Sequence, residues 1–328
     1  MKLRNAGLLV AILAAAGACK KSETPTKQQS SGSAAVVAEA HGSADSAEVA
    51  TGSGASGDPW SKPKSAKDPL PKPLFWSVEK DGKTDYLLGT MHMGIDPESR
   101  LPDIVFHKLD ESKTFAMETD LSDAGKLDVL RKDGSSLEDE LGPEYWKKLE
   151  AAIGVQEAAR LRGFKPMIPA TVLSMRGLPE TAPMDGVLQG RALNQKKQIV
   201  FLEQIETQGA VLEKWMNARA LKEMLDDLPG GEQRSKDMLA AYIAGDEARI
   251  EAINNEEKAD FLKHGRTQKE YDEQMEDLLF KRNASWIPVI EKIHGGAFIA
   301  VGAMHLIGKR SVLDLLGQKG YKVTRLTP

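Results

Sequence analysis

The chain has 328 residues, 41% hydrophobic and 28% charged, with 44 basic against 48 acidic side chains and a formal net charge of -4. That length allows one large domain or two ordinary ones. Mild acidity, with no basic stripe interleaved with aromatics, argues against nucleic acid as a partner. With Cys19 as the single cysteine, an intramolecular disulfide is excluded and the core must hold itself together.

Residues 1–18 carry the pattern of a secretory signal. Lys2 and Arg4 precede an apolar run, Ala6 to Ala15, that is too short to span a bilayer. Ala16, Gly17 and Ala18 lead directly into Cys19, an arrangement that resembles a bacterial lipobox. The resemblance implies that Cys19 carries lipid and anchors the chain to a membrane of the bacterial cell envelope. Lys20 rather than aspartate follows it, which favours the outer membrane. Residues 19–72 are rich in Ser, Ala, Gly, Glu and Pro and poor in large apolar side chains. Such a segment cannot bury enough surface to offset its ordering entropy, so it reads as a disordered tether. His41 lies within it and is not a site candidate. A folded region is expected over residues 73–328.

The folded region opens with strands over 74–78 and 84–88 around Asp81-Gly82, a hairpin signal. The second strand runs into Gly89-Thr90-Met91-His92. A short helix over 102–109 precedes a strand, Thr114 to Glu118, that closes on an acid. Residues 123–183 have helical character, with a helix start at Pro143. A helix opens at Met184-Asp185 and runs to about Asn194. The next strand, Ile199 to Glu203, again closes on a glutamate. Residues 206–227 read as one helix, Gly230-Gly231 as a break, and 232–293 as further helices that Pro288 kinks or ends. Strand 297–301 runs into Gly302-Ala303-Met304-His305. A helix over 312–316 and a strand over 321–326 complete a crossover unit. The expected fold is α+β or mixed α/β: a central mixed sheet flanked by helices, with a large helical insertion.

Four strands thus end at His92, Glu118, Glu203 and His305. In open α/β folds the ligand crevice lies at the carboxyl ends of the strands. A buried carboxylate is costly unless something charged meets it. Two histidines and two glutamates suit a divalent metal, Zn, Mn, Co or ferrous iron. A lone Gly-x-x-His carries little information, and each glutamate could instead be a solvated strand end. The coincidence of four equivalent positions makes the shared site. His107, His264 and His294 lie away from strand ends and read as structural.

Several segments occur in the order seen in the TraB/GumN family, which is related to the Tiki metalloproteases. They are Leu88 to His92, Ala116 to Asp120, Met184-Asp185 ahead of Phe201-Leu202-Glu203, Lys281-Arg282-Asn283, and Val301 to Gly308. The resemblance covers about Leu74 to Leu326. It implies a metal-dependent hydrolase acting on a peptide or protein substrate. His92 and His305 would be metal ligands or catalytic, with Glu118 and Glu203 as ligand and general base in either order. Arg282 would be a further site residue, able to stabilise an oxyanion or to pair a buried glutamate. Asp120, Asp185 and Asn283 adjoin these positions. The alternative is a non-catalytic haem- or metal-binding lipoprotein of related fold.

Overall fold

A computed structural model describes residues 68–328. The signal sequence, Cys19 and most of the tether lie outside those residues. Leu70 is fully buried and its N–H donates to the Arg100 carbonyl at 2.8 Å. Packing therefore begins ahead of residue 73, within the stretch read as tether.

Six strands form one mixed sheet: β1 (Phe75–Lys80), β2 (Lys83–Thr90), β3 (Thr114–Met117), β4 (Gln198–Phe201), β5 (Ala297–Gly302) and β6 (Lys322–Arg325), in the order β4-β3-β5-β2-β1-β6. β2 pairs parallel with β5, β5 with β3, and β3 with β4. β1 is antiparallel to both β2 and β6. The expected hairpin is β1–β2, with Asp81 and Gly82 at positive φ. The expected crossover leaves β5 and returns at the far edge as β6, with β2 and β1 in between. Buried on both faces, the central strands β3 and β5 are near-continuous apolar runs. Phe298 of β5 packs against Phe75 and Phe115 with ring centroids 5.7 and 6.2 Å apart.

The helices are α1 (Pro97–Arg100), α2 (Asp103–Glu111), α3 (Leu137–Ile153), α4 (Val155–Leu161), α5 (Met167–Ser174), α6 (Met184–Asn194), α7 (Ile205–Trp215), α8 (Ala218–Asp226), α9 (Leu228–Ala244), α10 (Glu247–Lys263), α11 (Gln268–Met275), α12 (Lys281–Ile293) and α13 (Val312–Gln318). Several expected boundaries move. α3 starts before Pro143, because the Ser136 hydroxyl caps it by accepting from Asp139 N–H at 3.1 Å; Gly142-Pro143 becomes an internal kink. The single helix over 206–227 is two, parted where Asn217 caps α8. Gly230 and Gly231 lie in the first turn of α9 behind Pro229, so the break falls at Asp227 instead. Pro288 sits inside α12 without ending it. No described helix is long and apolar enough to cross a membrane.

The amino ends of β2 and β5 are clasped by a buried acid. Asp85 is wholly inaccessible and its Oδ1 accepts the N–H groups of Gly295, Gly296 and Ala297 at 2.9, 2.9 and 2.8 Å. His294 pairs with the other carboxylate oxygen through Nδ1, while its Nε2 lies 3.0 Å from the Lys80 carbonyl. Both ring nitrogens face acceptors, which is the pattern of an imidazolium. Burial works to lower the His294 pKa, but Asp85 and the Lys80 carbonyl reverse it and leave it raised. A raised histidine pKa contributes stability that is fully present below the ordinary value of about 6.5 and is lost as pH rises through the folded-state value. Asp85→Ala should cost about 3–5 kcal/mol, because it strands a buried cation and several N–H donors. Asp85→Asn should also flatten the pH slope just above neutrality. Denaturant unfolding across pH 6–9 checks both, and an unchanged slope would remove the clasp from the account.

Candidate active site at the carboxyl ends of the parallel strands

The parallel strands deliver all four predicted positions to one edge of the sheet. β2 leads to His92, β3 to Glu118, β4 to Glu203 and β5 to His305. Pairing continues past the strands: Leu202 N–H donates to the Met117 carbonyl and Glu203 N–H to the Glu118 carbonyl, each at 2.9 Å. The two glutamates are therefore neighbours by register. The two Gly-x-x-His segments lie side by side with Thr90 opposite Gly302, and their glycines permit the approach. A Cβ on Gly89 would lie 3.1 Å from the Ala303 Cα, and one on Gly302 would lie 3.3 Å from Glu118 Oε1. Tyr242 of α9 pins the first segment by donating its hydroxyl to the Gly89 carbonyl at 2.7 Å.

α12 supplies the centre of the cluster. A single π-helical turn, Glu276–Phe280, joins α11 to α12 just ahead of Arg282; such turns are frequent at functional sites. Arg282 donates through Nε to both Glu203 oxygens at 3.0 and 3.1 Å. Its Nη2 donates to Glu203 Oε1 at 2.5 Å and to Glu118 Oε2 at 2.8 Å. Its Nη1 donates to the Leu278 carbonyl at 2.9 Å and to His305 Nε2 at 3.3 Å. A guanidinium has five N–H donors, and these contacts use them all. Glu118 Oε1 further accepts Gly302 N–H at 2.8 Å, and Oε2 accepts from Gln208 of α7 at 2.9 Å.

One and four residues on, α12 presents Asn283 and Trp286. Asn283 Nδ2 donates to the Arg310 carbonyl at 2.9 Å, which leaves Oδ1 to accept from His305 Nδ1 at 2.6 Å. His305 is therefore the Nδ1–H tautomer, with its Nε2 lone pair toward Arg282. Trp286 lies against the His305 ring at 4.4 Å between centroids and donates to Glu203 Oε2 at 3.4 Å.

His92 differs from His305 in setting. Its side chain is 62% exposed, whereas that of His305 is 6% exposed. His92 Nδ1 meets Asp185 Oδ2 at 2.7 Å, and the other Asp185 oxygen accepts from the buried Thr90 hydroxyl at 2.7 Å. Asp185 stands in the first turn of α6, where the helix dipole favours an anion. Its carboxylate raises the His92 pKa to about 9, outweighing the desolvation of the ring, with Glu118 adding to the rise and Arg282 opposing it. Burial lowers the His305 pKa to about 4, so this ring is neutral near pH 7. Burial works to raise the Glu118 pKa, but His305, Arg282 and His92 together bring it down to about 2. Glu203 is raised by burial, with Arg282 opposing.

The four residues expected to bind metal do not form a ligand group in this structure. Among the described residues no three His, Cys, Asp or Glu side chains converge in a way that could hold an ion. The reason is physical: the Arg282 guanidinium stands between Glu118, Glu203 and His305, and His92 is engaged by Asp185. Nor has Arg282 an N–H to spare for an oxyanion; of its two expected roles, it fills the pairing one. Asp120 is turned away, capping the turn Leu121–Lys126. Thr90, inside the first Gly-x-x-His, and Gln208 and Trp286, which no motif marks, also join the site.

Arg282→Met should destabilise the fold by about 3–5 kcal/mol, since it leaves two buried carboxylates unpaired. Glu203→Gln should cost clearly less, and equal losses in denaturant unfolding would overturn this ordering. Asp185→Asn should move the His92 pKa down toward its ordinary value. A pH titration of the His92 Cε1–H resonance reads this directly, and an unmoved midpoint would show that Asp185 does not set it.

The sequence was compared with known proteins. No curated protein and no solved structure gave a match. The family described as TraB/PrgY/gumN matches residues 74–325, the hairpin through the last strand and so most of the chain, and the chain therefore belongs to that family.

Proposed function

We propose that the chain is a hydrolase in which His92 moves the proton, held and charged by Asp185. The observation that carries this reading is an exposed imidazole whose Nδ1 is bound at 2.7 Å by a buried carboxylate, at the crevice edge of four parallel strands. Binding at Nδ1 fixes the tautomer and turns Nε2 toward solvent, the arrangement of a histidine used for proton transfer. With its pKa raised, His92 is an imidazolium at neutral pH and serves as proton donor to a leaving group. The nearly buried Glu118–Arg282–Glu203–His305 cluster sets the field behind it. A peptide bond is the proposed substrate, by analogy with the metalloproteases that the sequence resembles.

The lipobox-like Ala16-Gly17-Ala18-Cys19 supports attachment to the cell envelope through a lipid anchor, with the outer membrane favoured by Lys20. A Cys19→Ala chain should then lose palmitate labelling and leave the membrane fraction.

The test of activity is cleavage of a diverse peptide library by the purified full chain beside His92→Ala. Loss of proton transfer should lower kcat by about 100- to 10,000-fold while the fold is retained. Activity in the unmutated protein should decline as pH rises through the raised His92 pKa. Equal cleavage by His92→Ala would overturn the reading. A Soret band in the purified protein, without cleavage, would favour the haem-binding alternative.

A further inference from the structure

We propose that the cavity between α10, α11 and the loop after β5 is a binding site for a free α-amino acid with an apolar side chain. Neither His92 nor Asp185 lines this cavity, so the proposal does not rest on the proton-transfer reading.

Size and wall set the kind of molecule. The cavity holds about 310 Å3. Ligand pockets run from about 300 to 1,000 Å3, so this one suits a molecule of amino-acid size. Met275, Leu279, Phe280, Met304 and Ile307 form its apolar wall. The first four are only half-buried, which leaves apolar surface for a ligand side chain to cover. Leu279 and Phe280 belong to the π-helical turn Glu276–Phe280, and such turns are frequent at functional sites. Phe280 is backed by Arg310, whose guanidinium carbon lies 4.3 Å from the ring centroid.

The polar lining has hydrogen-bonding capacity to spare. Tyr271 is held edge-on against Phe261, with ring centroids 5.7 Å apart, and its hydroxyl has no partner among the described residues. The Asn254 amide nitrogen meets only the Met304 thioether at 3.7 Å, and a thioether is a weak acceptor. Glu251 and Lys309 line the cavity too, and neither makes an ion pair among the described residues.

Charge decides the ligand class. One carboxylate and one ammonium give a lining of no net charge. A simple anion would be repelled by Glu251 and a simple cation by Lys309, whereas a zwitterion meets each with the opposite sign. The two charges are carried by neighbouring backbone. Gly308, at φ 77°, comes so close to α10 that a Cβ on it would lie 2.5 Å from Glu251 Oε1, and Lys309 follows it. An α-amino acid has the same adjacency, with ammonium and carboxylate on one carbon. Glu251 then takes the ammonium, Lys309 the carboxylate, and the side chain lies on Leu279 and Phe280. Asn283, which accepts from His305 Nδ1 at 2.6 Å, lines the same cavity, so the ligand sits one side chain away from the buried cluster.

The probe is L-leucine, titrated into the full chain and followed by calorimetry. Beside it stand N-acetyl-L-leucine, which lacks the ammonium, L-leucinamide, which lacks the carboxylate, and glycine, which lacks the side chain. One L-leucine should bind per chain, about tenfold or more tightly than any of the three, since each loses a charge-assisted contact or its apolar burial. Glu251→Gln should erase the preference over N-acetyl-L-leucine and keep the preference over L-leucinamide. Lys309→Gln should do the reverse. Both residues are exposed, so both variants should fold as the unmutated chain does. His92→Ala should bind L-leucine unchanged even where cleavage is lost, which keeps the two readings separable. No binding of L-leucine, equal binding of glycine, or binding that neither substitution alters would overturn the proposal. So would loss of L-leucine binding in a folded His92→Ala.

Discussion

Two adjacent parallel strands end in glutamates, and the sheet then buries both. Without a counter-charge that arrangement would cost several kcal/mol per ion. The guanidinium of Arg282 meets both carboxylates, and much of the surrounding structure exists to place it. The π-helical turn sets the phase of α12 and offers the Leu278 carbonyl. The absence of a side chain at Gly302 lets its N–H reach Glu118 Oε1 at 2.8 Å. Trp286 closes the far side, with its ring centroid 5.0 Å from the guanidinium carbon. Buried ion clusters of this kind are weak evidence for net stability but strong evidence for a fixed geometry, because any displacement leaves a charge unpaired.

The two Gly-x-x-His segments show how little a motif alone decides. Each histidine is bound through Nδ1 and keeps Nε2 inward or outward for use. Asp185 faces one and Asn283 the other, so the partner is an anion in the first case and a neutral amide in the second. An anion favours the charged ring. An amide cannot, and burial then drives the ring neutral. Two Gly-x-Met-His ends of adjacent strands thus come to opposite protonation states near pH 7, with pKa values of about 9 against about 4. The separation of paired titrating groups by their surroundings is how acid and base roles are assigned in enzymes generally.

The strands and the four positions at their ends were legible because a buried parallel sheet needs uninterrupted apolar runs, and each run stopped at a polar residue. Topology then did the rest, since parallel neighbours share an edge. Arg282, Asp185 and Asn283 were legible only through a resemblance; a charged or amide residue near a helix start has many ordinary explanations. Thr90 stood in a motif without a role of its own, and Gln208 and Trp286 left no sign, because contacts made by residues 83 to 95 positions apart have no local pattern. The Asp85–His294 clasp was missed for the same reason, with 209 residues between its partners. Helix boundaries moved where a cap outranked a breaker: Ser136 over Pro143, and Asn217 over an unbroken apolar period. The metal centre was expected because His and Glu at strand ends carry a ligand's chemistry. Arg282 as the partner of a buried glutamate came with the resemblance; that its guanidinium would meet Glu118, Glu203 and His305 together did not.

The helical insertion has apolar cores of its own, which separates its duties from those of the sheet. Leu137, Leu141, Trp146, Leu149, Leu173, Leu221 and Leu225 cluster together, and Leu161, Phe164, Met167, Ile168 and Ile205 form a second group, both apart from the sheet core. Yet α7 belongs to this region and still sends Gln208 to Glu118. α6, at its other border, sends Asp185 to His92. The insertion therefore meets the site through Asp185, Gln208 and Tyr242, while the two glutamates, His305 and Arg282 come from the strand ends and α12. A fold divided in this way can vary the surface that surrounds the crevice without disturbing the charges inside it.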